Sequence, residues 1–298
     1  MTRKANSLTI TYLTKVTFAS LNGGDSDADN INAIKKVTFP DGSQVPYMSS
    51  QSIRYGIRKK LEEFGETLSP IGAGEDKKGT AKGGLNPTNY IDDDLMGFMY
   101  AVSGGTIPPR ASPVRVDALV ALSEYKDDLD FGTNFQKKEA GVGEANIFET
   151  EIHSGVYRGT ILIELDRVGV FNEDKKEQKE IANAEKARRV LKFLESFRML
   201  WTPGRQTRFL SDISPKFMAA ALMTSKNPIF LEAIDVDKKD QKVVKMDSLK
   251  NVVADYQPYI QDHLFAVQEG IFQKQEGMVS LAEGFGTIED WVKAYYKD

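Results

Sequence analysis

Tyr47-Met48-Ser49-Ser50-Gln51-Ser52-Ile53-Arg54-Tyr55-Gly56-Ile57-Arg58-Lys59-Lys60-Leu61 is the stretch from which the fold can be read. Ile53, Ile57, Leu61 and Phe64 recur at spacings of four, four and three, a stripe that one face of a helix buries. Arg54 and Arg58 are four apart and share a second face. Ser49 and Ser50 stand where an N-cap belongs, and Gln51 falls in the first turn. The spacing predicts a helix over 49–64. A helix N-terminus offers unpaired N–H groups and a partial positive charge, which suits an anion. Hydroxyls and an amide at that end, with two guanidinium groups further along, have the chemistry to hold consecutive phosphates of one strand. The same pattern also fits a capped amphipathic helix with solvated arginines.

Before this helix, residues 8–20 alternate. Leu8, Ile10, Tyr12, Val16 and Phe18 mark one face, while threonines supply much of the other, as in a strand. Asn22-Gly23-Gly24-Asp25 breaks it. Residues 25–46 read as a polar insertion, with Lys36–Phe39 and Ser43–Val45 pairing around Pro40-Asp41-Gly42. After the helix, residues 66–90 carry little periodicity and read as a long loop or small subdomain. A short helix is expected over 91–102, with Leu95, Phe98, Met99 and Val102 inward. Residues 113–124 fit a strand or a helix.

The 125–150 segment is charged, holds Phe131, Phe135 and Phe148, and is read as a projecting hairpin. Val156–Gly169 is the clearest later strand. Residues 176–201 form the strongest helix pattern, with Ile181, Ala184, Ala187, Leu191, Leu194, Phe197 and Leu200 at threes and fours. Pro215–Thr224 is apolar enough for a core strand. Ile229–Val236 and Lys242–Met246 are expected to pair as a hairpin, and 247–273 and 287–296 to be helical. No internal repeat is seen. Stripped of insertions, the order is strand–helix–strand–strand–helix–strand. That is the ferredoxin-like arrangement used by RNA-recognition domains, an α+β fold in one elaborated domain spanning 1–298.

Composition bounds the function. The 298 residues, 41% apolar with sixteen phenylalanines, support a real core. No run approaches the roughly 20 apolar residues of a membrane span, so no membrane partner is expected. The first residues run into a strand-like segment rather than a signal peptide. The absence of cysteine excludes disulfides and thiolate metal sites, and a cytoplasmic protein is the simplest reading. The net charge of −4 is unusual for a free-standing nucleic-acid binder. Any such contact must be local. Residues 50–65 and 203–217 each carry a net +2, while Asp25/Asp27/Asp29, Asp92-Asp93-Asp94 and Asp127-Asp128/Asp130 are acidic.

Several enzyme signals fail. Asp25-Ser26-Asp27-Ala28-Asp29-Asn30 resembles a calcium loop, but Asn30 and Lys36 stand where Gly and Glu belong. Gly72-Ala73-Gly74 and Gly83-Gly84 lack the phosphate-loop pattern. His153 and His263 have no zinc or nucleophile motif beside them, and no Gly-x-Ser-x-Gly elbow occurs. No metal, cofactor or catalytic residue is expected. The aromatic RNA-binding pattern of standard recognition motifs is missing as well.

Ile10–Asp25, Ser49–Leu61, Arg110–Val116, Glu151–Gly169 and Trp201–Pro215 together resemble the CRISPR-associated backbone subunit of type I Cascade effector complexes. This is a branch of the RAMP superfamily, and the likeness is to its DevR-type members associated with type I-B systems. The likeness spans nearly the whole chain, and Ser-Ser-Gln-Ser-Ile-Arg is its most specific element. It implies a modified RNA-recognition palm, finger insertions at 25–46 and 66–108, and a thumb hairpin within 125–150. It implies a non-catalytic protein whose copies polymerise along a guide crRNA and present its spacer to target DNA. Its partners would be crRNA, target DNA paired to the guide, further copies of itself, and the large, small and 5′-handle-capping Cascade subunits. Sequence would be read by base pairing, so the protein holds backbone and shape. Contacts adding along a filament reconcile this with an acidic chain.

Carried over residue by residue, the guide-binding helix maps to Ser49, Ser50, Gln51, Arg54 and Arg58. Lys15, Asn22 and Gly23 are expected beside the RNA. Arg110, Ser112, Arg205, Gln206 and Arg208 are further candidates, and Phe131 or Phe135 is the candidate thumb wedge. Either phenylalanine also fits packing inside the hairpin or against a neighbouring subunit. Two rivals are kept. One is an RNA endonuclease using the loop residue Asp25, as in related type III subunits. The other is a stand-alone nucleic-acid-binding regulator, although no helix-turn-helix with a basic recognition helix is evident.

Overall fold

The computed structural model describes residues 4–24, 31–70, 72–73, 81–82, 86–98, 109–135, 145–171, 179–204 and 207–297. The chain begins with β1 (Ser7–Ala19), β2 (Ile31–Asn32), β3 (Lys36–Thr38), β4 (Gln44–Met48) and α1 (Ser50–Glu63). There follow β5 (Gly72–Ala73), β6 (Ala81–Lys82), α2 (Ile91–Met96), β7 (Val114–Val116), β8 (Leu119–Ala121), β9 (Leu129–Phe135), β10 (Ala145–Glu151) and β11 (His153–Glu164). The last part holds β12 (Val170–Phe171), β13 (Lys179–Glu180), α3 (Asn183–Arg198), β14 (Phe217–Met223), α4 (Met246–Tyr256), β15 (Ile260–Val267), β16 (Met278–Ser280) and α5 (Leu281–Tyr295). It is a mixed α+β fold. No helix among the described residues is long and apolar enough to cross a membrane.

The main sheet runs β16-β15-β14-β1-β11-β8-β4-β3, with β7 also pairing β11. Its centre is antiparallel: Ile10 stands between Ile161 of β11 and Ala220 of β14. Without insertions, β1, α1, β8, β11, α3 and β14 follow one another in the chain, and their strands lie in the order β14-β1-β11-β8.

Both faces of this sheet are covered, which changes how β1 is built. Leu8, Ile10 and Tyr12 pack with Ile53, Ile57 and Leu61 of α1, with Val190, Phe193, Leu194 and Phe197 of α3, and with Phe285, Ile288 and Val292 of α5. On the other face Leu13, Phe217, Ala219 and Ala221 pack with Phe230, Ile234, Val244, Leu249 and Phe272. The run Phe217-Met218-Ala219-Ala220-Ala221-Leu222-Met223 is wholly buried because successive side chains enter opposite cores. Thr9, Thr11 and Thr14 of β1 are therefore buried too, while Thr17 is exposed, and Thr11 meets Thr160 across the pair at 3.0 Å. Tyr12 stands edge-on to Phe197 at 4.8 Å, an arrangement worth about 1 kcal/mol beyond burial. Gly159 makes room for that tyrosine, since a Cβ there would lie 2.8 Å from the ring.

Several elements differ from expectation. The helix expected over 91–102 ends after Met96 because Gly97 takes φ +65°, and Phe98 bridges Arg110 in the next connection. Met99 and Val102 lie outside the described residues. Residues 113–124 form two short strands. The helix expected from 176 begins at Asn183, because Lys179–Glu180 pairs with Val170–Phe171. Ala184, assigned to its buried stripe, is exposed. The hairpin expected from 229 to 246 reduces to one bridge, Val236 with Val244. The helix expected over 247–273 stops at Tyr256. Residues 260–267 then pair with β14, where an open edge outweighs local helical pattern. The last helix starts six residues before 287, at a capping box of Ser280 and Glu283.

Candidate nucleic-acid interface

Ser49 caps α1 in extended backbone, its hydroxyl accepting from the Ser52 N–H at 3.3 Å. Its own N–H donates to Asn22 Oδ1 at 3.0 Å. The Asn22 carbonyl accepts from Lys35 N–H, and Gly23 bridges Ile34. The end of β1, the β3–β4 insertion and the start of α1 are thus pinned together. No acidic residue lies in the first turn of α1, so its positive end is not offset by a side chain there. Gln51 is exposed, and Ser50 Oγ lies 3.3 Å from its Oε1. Lys15 is exposed on β1.

Beside this corner stands a second sheet, β2-β10-β9. β9 and β10 form an antiparallel hairpin, with Phe131 opposite Glu149 and Gly132 opposite Phe148. Its base is tied back by Glu151, which accepts from the Ile34 N–H at 2.9 Å and pairs with Lys36 at 2.8 Å. The ammonium of Lys36 also lies over the Tyr125 ring. Arg208 ties the other side: it pairs with Asp130, donates to Thr150 Oγ1 at 3.2 Å, and lies between the Phe148 and Phe209 rings. Phe131 is 60% exposed on the hairpin. The side chain of Phe135 lies outside what the structure describes, as do Arg205, Gln206 and the whole Asp25–Asn30 loop.

Besides Asn22, Ser49 and Arg208, the expected contacts Arg54, Arg58, Arg110 and Ser112 have protein partners. Arg54 donates to the Met96 carbonyl, and burial, then the neighbouring Arg58 charge, lowers its pKa. Arg58 pairs with the buried Asp92 and reaches the Ser69 carbonyl at 3.4 Å. The Arg110 side chain is 8% exposed. It donates to the Asp94 carbonyl at 2.9 Å, to Val170 at 2.7 Å and to Arg167 at 3.0 Å, pairs with the Asp94 carboxylate, and lies over the Phe171 ring. Ser112 Oγ donates to the Leu95 carbonyl at 2.9 Å. Arg110 and Ser112 therefore hold the 94–98 connection rather than face an open groove. The acidic run Asp92-Asp93-Asp94 is equally internal. Asp92, Asp93 and Asp94 are buried, and Asp94 also pairs with Arg189 at 2.8 Å and accepts from the Gly169 N–H. One helical turn of three carboxylates is stable there because each has a cation or N–H facing it.

Sequence reasoning missed Phe18, which it placed on one face of β1 with Leu8, Ile10, Tyr12 and Val16; the ring is 51% exposed. The pairing register explains this, since β1 gains one residue on β11 between Val16 and Ala19. No periodicity foretells such a bulge.

This architecture is shared with chains of solved CRISPR RNA-guided surveillance complexes. A solved structure described as a CRISPR RNA-guided surveillance complex in a pre-nicking state contains a chain that superposes with TM-score 0.63 at 15% identity. The match covers 97% of this chain and 100% of that one. A chain of another CRISPR RNA-guided surveillance complex gives 0.60 at 15% identity, covering 96% and 99%. At that identity the likeness establishes the fold. Residues 10–244 match the family described as CRISPR-associated negative auto-regulator DevR/Csa2, and the chain belongs to that family. A relative from Myxococcus xanthus (strain DK1622), described as CRISPR-associated protein Cas7/Cst2/DevR, is 24% identical over 242 residues, which are 75% of this chain and 74% of the relative.

Proposed function

We propose that this chain is a non-catalytic backbone subunit that polymerises along a guide crRNA in a type I surveillance complex and presents the spacer to target DNA. The observation that carries it is the corner where the α1 N-terminus, the end of β1 and the base of the β9–β10 hairpin meet, in a member of the DevR/Csa2 family. In this reading the β14-β1-β11-β8 order with α1 and α3 is a ferredoxin-like palm. The β9–β10 hairpin is the thumb, with Phe131 as its wedge. Ser49, Ser50 and Gln51 hydrogen-bond phosphates, and Lys15 supplies charge beside them. Arg54 and Arg58 act mainly by holding α1 in place, since their guanidinium groups already have partners.

The test is to purify the protein from cells carrying its native operon and sequence the RNA that comes with it. Discrete RNAs bearing repeat and spacer are expected. Protein free of nucleic acid even at low salt would sink the reading. The matched family's description as an auto-regulator favours one second reading, a protein that binds its own promoter. Sequence-selective binding to that DNA by guide-free protein would favour it instead.

A further inference from the structure

Between Val16 and Ala19, β1 advances three residues while β11 retreats only two, from Gly155 to His153. A β-bulge of this kind re-aims a side chain, and bulges recur beside functional sites. The side chain re-aimed here is Phe18, which keeps half its surface in water although strand alternation would bury it.

The ring is not loose. It rests 5.5 Å from the Phe209 ring at a tilt of 48°. Phe209 is itself fully buried. The Arg208 guanidinium lies 5.3 Å from the Phe209 ring and 5.0 Å from the Phe148 ring. A continuous stack therefore runs from Phe18 through Phe209 and Arg208 to Phe148 on β10. It holds Phe18 in a set orientation, with a water-facing surface at its end.

The chain on either side of Phe18 carries polar and cationic groups. Lys15, exposed, lies three residues back on β1. Asn22 and Gly23 lie four and five residues on, where Asn22 grips the N-cap of α1. A fixed, half-exposed aromatic ring on a segment that also carries an exposed cation and holds a helix N-terminus has the parts that hold single-stranded nucleic acid. Phosphates meet the positive groups while a base stacks on the ring. We propose that Phe18 is a base-stacking platform for single-stranded RNA. The proposal rests on the guide-binding reading and adds to it a contact with a base, which the phosphate contacts alone do not supply.

The test uses the full chain and a short single-stranded oligouridine carrying 5-iodouridine. Irradiation of the wild-type complex should give an adduct on the peptide that contains Phe18. Phe18→Leu should bind the oligouridine about tenfold more weakly and lose the adduct, because aliphatic side chains do not stack. Phe18→Tyr should keep both. Wild-type protein that binds but cross-links only elsewhere, or a folded Phe18→Leu that binds equally well, overturns the stacking proposal and leaves guide binding standing. Wild-type protein that binds no RNA overturns both. A folded Phe18→Leu with unchanged RNA affinity but lost self-association assigns the ring to a contact between copies and overturns the proposal. Melting temperatures of the two variants separate lost contact from lost fold, and the wild-type cross-link does not depend on either.

Discussion

The side-chain oxygen of Asn22 accepts the backbone N–H of Ser49 at 3.0 Å, so the loop leaving β1 holds the first residue of the α1 cap. Ser49 in turn caps the helix through Ser52. Asn22→Ala and Ser49→Ala should each cost about 1 kcal/mol, the one by orphaning an N–H and the other by losing a cap. Because the two act on one joint, the double variant should cost less than the sum. A double-mutant cycle by urea denaturation measures this, and strictly additive costs would mean that the two residues are not coupled.

Arg58→Ala should behave as a stability variant. Its partner Asp92 is buried, so removing the guanidinium strands a carboxylate at a cost of about 3 kcal/mol. Arg58→Ala with Asp92→Asn should recover part of that loss. If Arg58→Ala melts like the wild type yet binds RNA less tightly with a flatter salt dependence, the arginine faces phosphate after all.

Lys15 is the better test of a phosphate contact, being exposed on the strand. Lys15→Ala should leave the melting temperature within about 1 °C. It should also lower the slope of log affinity against log salt for single-stranded RNA by about 1. An unchanged slope removes Lys15 from the interface.

His153 should make the fold acid-sensitive. Burial holds its imidazole below the ordinary value, against weaker opposing effects of the Glu124 backbone and the Asp128 charge, and its Nδ1 lies 2.7 Å from the Tyr157 hydroxyl. The unfolded chain takes up a proton near pH 6.5 that the folded chain does not. The sign follows: stability is full above about pH 6.5 and falls as pH drops through that value towards the lower folded-state one. Thermal melts between pH 8 and pH 5 should show this decline, and His153→Asn should flatten it. Parallel declines in both proteins would assign the effect to carboxylates.

Asp25→Ala should leave guide binding unchanged. Neither wild type nor variant should cut RNA paired to the guide when divalent metal is added. Metal-dependent cleavage that disappears in Asp25→Ala would make this an endonuclease of the type III kind.

Much of the fold was legible where the pattern was local. The cap and stripe of α1, the alternation of β1 and the turn at Gly42 all rest on neighbours a few residues apart. What was not legible depended on distant partners. Residues 260–267 became a strand because β14 offered an edge. Arg54, Arg58 and Arg110 look like solvent-facing cations in sequence. Their burial depends on Met96, Asp92 and Asp94, which sit on α2. The acidic triplet is carried inward by its own helix, whose Ile91, Leu95 and Met96 enter the core beside it. Phe18 escaped because a bulge belongs to a strand pair and leaves no mark on one strand alone.

The central place of β1 has a consequence for the birth of the protein. Ser7 is paired at once with Glu164 and Met223. β1 is made before both its neighbours and therefore waits for them. It gains one when the segment 153–164 emerges, and the other only after 217–223 has been made. Until then the longest strand carries an open edge, and the loops that must close are long, which slows folding. From the making of β1 until that of β14, the future centre of the sheet stays unsealed.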